Sequence, residues 1–373
     1  MSTDAAGGGE IARRIDTFVR EAIEPIAAAM ARGHGPSPRD VVGAAGAAGL
    51  AGILTPGDLG GAGGSHVDFA RFIEAVARAD ASCSVILDVH VSVGTEPIVN
   101  FGSSDQKARY LPPLARGELV AAFALTEPAG GSDAAALQAR AVRDGDGYRL
   151  TGTKTFITNV GAAGVYIVMA RTDPSEPSAR GVSAFIVEGD WPGVSTGTPF
   201  AKLGLHGSWT GELVLDDVRV PVANRLGDEG AGFRVAMAAL DSGRVGISAQ
   251  AVGIAQGALD AAVDAAHAPQ GDAPDETALA DMESRVVAAR LLTRHAASMV
   301  DAREMVTRDA AIAKLYATDT CVAVAHAAVE LCAPESAAAD HPAAVRLCDA
   351  KACQIYEGSN QIQRIVIARQ LLR

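Results

Sequence analysis

The sequence predicts an α+β fold in which a helical unit, a β unit and a helical bundle follow one another along the chain. Three observations carry this. Apolar residues recur at helical spacing up to about residue 118. From Leu119 they alternate every second residue, as on strands with one buried face. After Gly230-Ala-Gly232 the helical spacing returns and persists. The expected units are a helical domain over residues 1–118, an antiparallel β-barrel or sandwich over 119–227, and a four-helix bundle over 228–373.

In the first unit, Ile11, Ile15, Phe18, Val19, Ile23 and Ile26 mark one face of a helix from Glu10 to about Arg32. Ser37-Pro-Arg-Asp40 starts a second, alanine-rich helix. Gly60-Gly-Ala-Gly-Gly64 is a loop, and no strand precedes it as a dinucleotide fingerprint requires. Val67–Ala81 and Ser82–Phe101 read as further helices. His66 and His90 lack a second ligand at metal spacing, so packing or surface roles fit them better. Tyr148–Thr151, Lys154–Thr158, Val165–Arg171, Val182–Glu188 and Gly211–Val220 read as strands separated by turn residues. Phe233–Ala266, Glu276–Ala302, Val306–Cys332 and Pro342–Tyr356 are long helices, with a loop at His267–Asp275.

Hydrophobic residues make up 49% of the 373, enough to build large cores, while aromatics are only 4%. The core therefore rests on closely packed, alanine-rich helices. A net charge of −12 argues against a nucleic-acid partner, whose phosphates need a basic surface. No apolar run reaches bilayer length, and the first ten residues carry no basic start or apolar stretch, so a cytoplasmic protein without membrane contact is expected. The five cysteines form no C-x-x-C pair and read as free thiols.

Four stretches can carry chemistry. Glu357 stands between Tyr356 and Gly358, ahead of a helix whose apolar residues are Ile362, Ile365, Val366, Leu371 and Leu372. Ser359 suits the N-cap, so Glu357 falls on a tight turn before a buried helix. There it serves as a base or merely offsets the helix N-terminus. Leu125-Thr-Glu-Pro-Ala-Gly-Gly-Ser-Asp133 leaves a strand for a glycine turn. Its free N–H groups and Ser132 can cradle a phosphate, and Thr126 can offer its hydroxyl to a ring nitrogen; an ordinary loop is the alternative. Phe156-Ile-Thr-Asn159 offers an aromatic that stacks on a planar cofactor or fills a core. Asp241 and Arg244 fall on neighbouring faces of one helix, as a ligand site or an ion pair.

Taken in this order, these stretches resemble the acyl-CoA dehydrogenase family over nearly the whole chain, closest to its short-chain and short-branched-chain members. The resemblance rests on Phe123–Asp133, Gly152–Asn159, Lys202-Leu-Gly204, Asp216–Pro221, Leu240–Gly246 and Ile355–Arg364. It implies FAD and an acyl thioester enclosed by the three units, the carrier being coenzyme A or an acyl carrier protein. Glu357 is then the base that takes the α-proton, and hydride passes to the flavin. Glycine at 243 fits this, because isovaleryl-type members hold their base at that position. The flavin side would comprise Phe123, Leu125, Thr126, Gly131, Ser132, Phe156 and Thr158, with Ser359 and Gln361 at the dinucleotide. Ser132, Asp241, Arg244 and Gly358 match substrate-binding positions. Electrons would pass to an electron-transferring flavoprotein, and a homodimer or homotetramer is implied.

Two family patterns are absent. An Arg-x-x-Phe-Gly segment is replaced by the loop at His267–Asp275, and a glycine pair by Leu331-Cys-Ala-Pro-Glu-Ser336. Both usually hold FAD across a subunit interface. Altered FAD binding or a hetero-oligomer is therefore an expectation, with a flavin-poor partner subunit or a flavin oxidase on the same scaffold as alternatives.

Overall fold

A computed structural model describes residues 4–176, 178–267 and 275–372. The first helical unit holds α1 (Asp4–Phe18), α2 (Ala27–Ala31), α3 (Pro38–Ala47), α4 (His66–Ala79), α5 (Ala81–Asp88), α6 (Glu96–Phe101) and α7 (Ser104–Ala115). The long first helix expected from Glu10 is interrupted: a π-helical turn at Val19–Ile23 and a turn containing Pro25 separate α1 from α2. Proline lacks the N–H that would continue the ladder. Ser37, Ser65 and Ser103 each close a capping box, which fixes where α3, α4 and α7 begin. α7 was not foreseen, because Pro112 and Pro113 sit inside it. Between α5 and α6 the chain makes a second π-helical segment, Val89–Thr95, every residue of which is buried.

The β unit is an eight-stranded sheet. It comprises β1 (Ala121–Ala124), β2 (Arg140–Asp144), β3 (Gly147–Thr158), β4 (Val165–Arg171), β5 (Val182–Glu188), β6 (Val194–Thr196), β7 (Thr210–Pro221) and β8 (Arg225–Leu226). The strand order is β6-β7-β3-β2-β4-β5-β8, with β1 beside β4. Most pairings are antiparallel, as expected, but β4 runs parallel to both β1 and β2. The strands expected at Tyr148–Thr151 and Lys154–Thr158 are one, β3, whose register against β7 shifts at two places. β2, β6 and β8 were missed; β2 buries only Ala141, so it shows no alternation to read.

α8 (Gly232–Ala266), α9 (Glu276–Asp301), α10 (Thr307–Leu331), α11 (Pro342–Cys353) and α12 (Asn360–Leu371) form the last unit. α8 runs through its middle and is buried at every position from Ser242 to Ala255. The expectation of a buried final helix is corrected. α12 buries only Asn360 and Gln363 within one chain, while Ile365, Leu371 and Leu372 are exposed. Ser359 does occupy the N-cap position, but its hydroxyl makes no capping bond. The 267–275 loop lies almost wholly outside the described residues.

Polar pins tie the units together. Ala121 N donates to buried His90 Nδ1 (3.1 Å), and Asn159 Nδ2 donates to Ile86 O and Ala121 O, which locks β1 onto the first unit. His66 pairs with Asp301 (3.0 Å) and Glu96 (3.1 Å), joining the first and last units. Burial alone would lower the His66 pKa; the two carboxylates outweigh it and raise it to about 9. These are structural roles for both histidines, and the described residues contain no cluster of metal-ligating side chains. All five cysteines are free. No helix among the described residues is long and apolar enough to cross a membrane.

Candidate active site

Glu357 sits on the turn between α11 and α12 in a left-handed conformation, φ 54°, followed by Gly358 at φ 87°. A non-glycine residue avoids this region unless its surroundings hold it there. Here they do. Lys314 Nζ donates to Gly358 O (2.9 Å) and to Asn360 Oδ1 (2.9 Å). Gln363 Nε2 donates to Gly358 O (2.8 Å) and Glu357 O (3.2 Å), and Asn360 N donates to Gln354 O (3.0 Å). All of these bonds go to the main chain or to Asn360, so the Glu357 carboxylate is free to act. Its Oε2 is buried and has no hydrogen-bond partner among the described residues.

The carboxylate lies against Gly243 of α8. A Cβ built on Gly243 would collide with Oε2 and stand 2.7 Å from Cδ. In the base role that the resemblance implies for Glu357, Gly243→Ala is therefore expected to slow the reaction by about a hundredfold, since a displacement near 1 Å has that effect on an aligned reaction. Its thermal stability changes little, because alanine favours the helix. Stopped-flow absorbance measures the first quantity, and an unchanged rate would place the carboxylate elsewhere.

Burial pushes the Glu357 pKa up, and the charges of Arg244 and Lys314 pull it partly back, leaving it at about 7. Burial likewise lowers Lys314 to about 8. Arg244 Nη1 donates to Asp241 Oδ1 (2.6 Å), and Thr307 Oγ1 donates to Asp241 Oδ2 (2.8 Å). Burial raises the Asp241 pKa against those partners. Arg244 Nε and Ser242 Oγ are buried without partners among the described residues. The structure thus brings Glu357, Arg244 and Asp241 to one stretch of α8.

The second predicted group gathers at the end of β1. Phe123 and Thr126 are half-buried, Leu125 is buried, and Thr155 N donates to Thr126 O (2.9 Å), which sets β1 beside β3. Lys154 Nζ donates to Leu125 O (3.1 Å) and pairs with Glu127 Oε1 (2.7 Å), both side chains being buried. Phe156 stands in the β3 bulge at φ 57°, 68% exposed, edge-on to Phe200 at 5.4 Å. Fixing an aromatic outward in a strained conformation presents its face to something outside this chain's core. Thr158 is two residues on, opposite Thr210. Gly131 and Ser132 lie exposed in the loop, and a Cβ on Gly131 would come 3.0 Å from Thr126 Cγ2. Among the described residues, no hydrogen bond joins Ser359 or Gln361 to either β segment.

Sequence reasoning missed four members of this region. Lys314 is a buried cation on an alanine-rich helix, and that mismatch was its signal. Asp88, in the apolar run Val85-Ile-Leu-Asp-Val89, gave the same kind of signal. The Lys154–Glu127 pair gave none, because its partners are remote in sequence.

Comparison with known proteins gives the same reading from outside. "Acyl-CoA dehydrogenase, N-terminal domain" matches residues 9–118, the middle domain 122–218 and the C-terminal domain 230–372. An acyl-CoA dehydrogenase of Bacillus subtilis is 44% identical over 96% of each chain. The butyryl-CoA dehydrogenase structure from Megasphaera elsdenii superposes at a TM-score of 0.94, with 37% identity and 98% of each chain covered. An acyl-CoA dehydrogenase from Bacillus anthracis, solved complexed with FAD, gives 0.92 at 29% identity, over 100% of this chain and 67% of that one. The chain belongs to the acyl-CoA dehydrogenase family, flavoenzymes that use FAD to oxidise a CH–CH bond.

Proposed function

We propose that this enzyme oxidises a short acyl-CoA to its α,β-unsaturated thioester, with Glu357 as the base. The observation that carries this is the Glu357 carboxylate, whose Oε2 is buried without a partner among the described residues, held by a strained turn against a glycine that leaves it room. Thr126, Thr158, the exposed Phe156 ring and the glycine loop fit the flat ring and phosphates of FAD. Phe123 and Leu125 line the same wall, and Gly131 and Ser132 would meet the diphosphate. Ser359 and Gln361 would meet the dinucleotide of a neighbouring subunit. The flavin, when bound, supplies the hydride acceptor.

The remaining work falls to this chain's residues. Glu357 takes the proton from the carbon next to the thioester carbonyl. Its own N–H, for which the chain provides no acceptor among the described residues, donates to that carbonyl oxygen. Arg244, Asp241 and Gly358 position the acyl-CoA, with Ser132 near its carrier arm. Exclusion of water strengthens each of these interactions. The units 1–118, 119–227 and 228–373 act as three domains around the site, and the exposed apolar side of α12 suits a contact between subunits. Electrons leave to an electron-transferring flavoprotein.

Anaerobic mixing with butyryl-CoA is the test. Bleaching of the flavin is expected, with a rate that rises as pH climbs to about 7 and levels above it, because only the ionised Glu357 is a base. Lys314→Met removes a charge that favours ionisation, so it moves the midpoint to higher pH. Failure of every short acyl-CoA to bleach the flavin would overturn the assignment.

A further inference from the structure

A second buried carboxylate lies beside the base and has no part in the chemistry described above. Asp88 ends α5 where the π-helical segment begins, and it is 0% exposed. π-Helical segments inside α-helices recur at functional sites. Ser92 Oγ donates to Asp88 Oδ1 (3.2 Å), while Oδ2 has no partner among the described residues. A Cβ built on Gly246 would collide with Oδ1 and stand 2.8 Å from Cγ. Gly243 and Gly246 are one helical turn apart on α8. The two glycines therefore leave space for two carboxylates on the same face, Glu357 at the first and Asp88 at the second. Three residues of helix span about 4.5 Å, roughly three to four atoms of an extended chain.

No lysine or arginine forms an ion pair with Asp88 among the described residues. Burial pushes its pKa well up, and the neighbouring Glu357 charge pushes it further. A polar group left without a partner after water is expelled is costly, and an acyl chain ending in a methyl would leave it so. A chain ending in an N–H or O–H donor would not.

Resting on the reading of Glu357 as the base, we infer that Asp88 is the floor of the acyl pocket and selects short acyl thioesters carrying a hydroxyl or amino group near the γ-carbon. Glu357 works at the α-carbon, and the turn of α8 between the glycines sets the reach to the donor. A protonated Asp88 serves a hydroxyl, and an ionised one serves an ammonium. This goes beyond dehydrogenation of a plain short chain, because it makes a polar tail the preferred substrate feature.

The test uses the FAD-loaded enzyme with butyryl-CoA, γ-hydroxybutyryl-CoA and γ-aminobutyryl-CoA, reading kcat/KM with an artificial electron acceptor. The native enzyme is expected to favour at least one polar-ended ester over butyryl-CoA by about tenfold or more, the scale at which a buried hydrogen-bonding site discriminates. Asp88→Leu, close in shape and apolar, is expected to reverse that order. Asp88→Asn keeps the shape without the charge; it preserves a preference for the hydroxyl ester and abolishes one for the amino ester. A native enzyme that favours butyryl-CoA over both polar esters would overturn the inference and leave the dehydrogenase reading intact. So would an Asp88→Leu variant that changes all three esters by the same factor. Reaction with none of the three would overturn both.

Discussion

Glu357→Gln is expected to stop flavin reduction, lowering its rate at least about 10³-fold, while an acyl-CoA still binds. The substitution isolates the proton-accepting function because glutamine has the same shape. The turn that carries residue 357 is fixed through Glu357 O, Gly358 O and Asn360, and none of those bonds uses the carboxylate. Stability moves the other way. A carboxyl whose folded pKa is raised contributes stability below its unfolded value, and this is lost as pH rises through about 7. Removing the charge beside Asp88 therefore raises the melting temperature above neutral pH and has no effect in acid. Spectral titration measures binding, stopped-flow measures reduction, and thermal scans at two pH values measure stability. A glutamine variant that reduces its flavin within tenfold of the native rate would remove Glu357 from the chemistry.

The three-part order and the turn that carries Glu357 were legible for different reasons. Periodicity changes at Leu119 and Gly232 are properties of single elements, so pattern alone finds them. The Glu357 turn was legible because glycine at 358 and the N-cap position at 359 lie next to it in sequence. What holds the turn was not legible. Lys314 reaches Gly358 across 44 residues, and only the packing of α10 against α12 makes that contact. α12 misled because its apolar residues were read as facing this chain's core. Within one chain Ile365, Leu371 and Leu372 face outward, Ile362 and Val366 are half-buried, and the buried residues are the polar Asn360 and Gln363 that fasten the turn. Asp88 was legible only as an oddity, one acid in an apolar run, until Gly246 gave it a neighbour.

Lys154→Met is expected to cost about 3–5 kcal/mol, the usual penalty for leaving one half of a buried ion pair. Lys154 and Glu127 are 0% and 6% exposed and bond at 2.7 Å. Glu127 also accepts from Gln138 N (2.6 Å) and Ala139 N (2.9 Å), so one carboxylate ties β3 to both arms of the loop that carries Thr126, Gly131 and Ser132. Burial alone would raise the Glu127 pKa; Lys154 and the two N–H groups outweigh it and hold it below the usual range. The pair's stabilisation is therefore present at neutral pH and lost as pH falls through the folded value, and Lys154→Met removes that acid dependence. Because the loop is part of the proposed flavin wall, FAD affinity falls with it, by tenfold or more. Adding Glu127→Gln to Lys154→Met recovers most of the stability, since the second change removes the stranded charge, but it does not restore the three-way tie that aims the loop. Denaturant midpoints and flavin titration on the two variants separate these effects. A single variant costing less than about 1 kcal/mol would mean that the loop is held by its backbone alone, for that is what an exposed pair contributes.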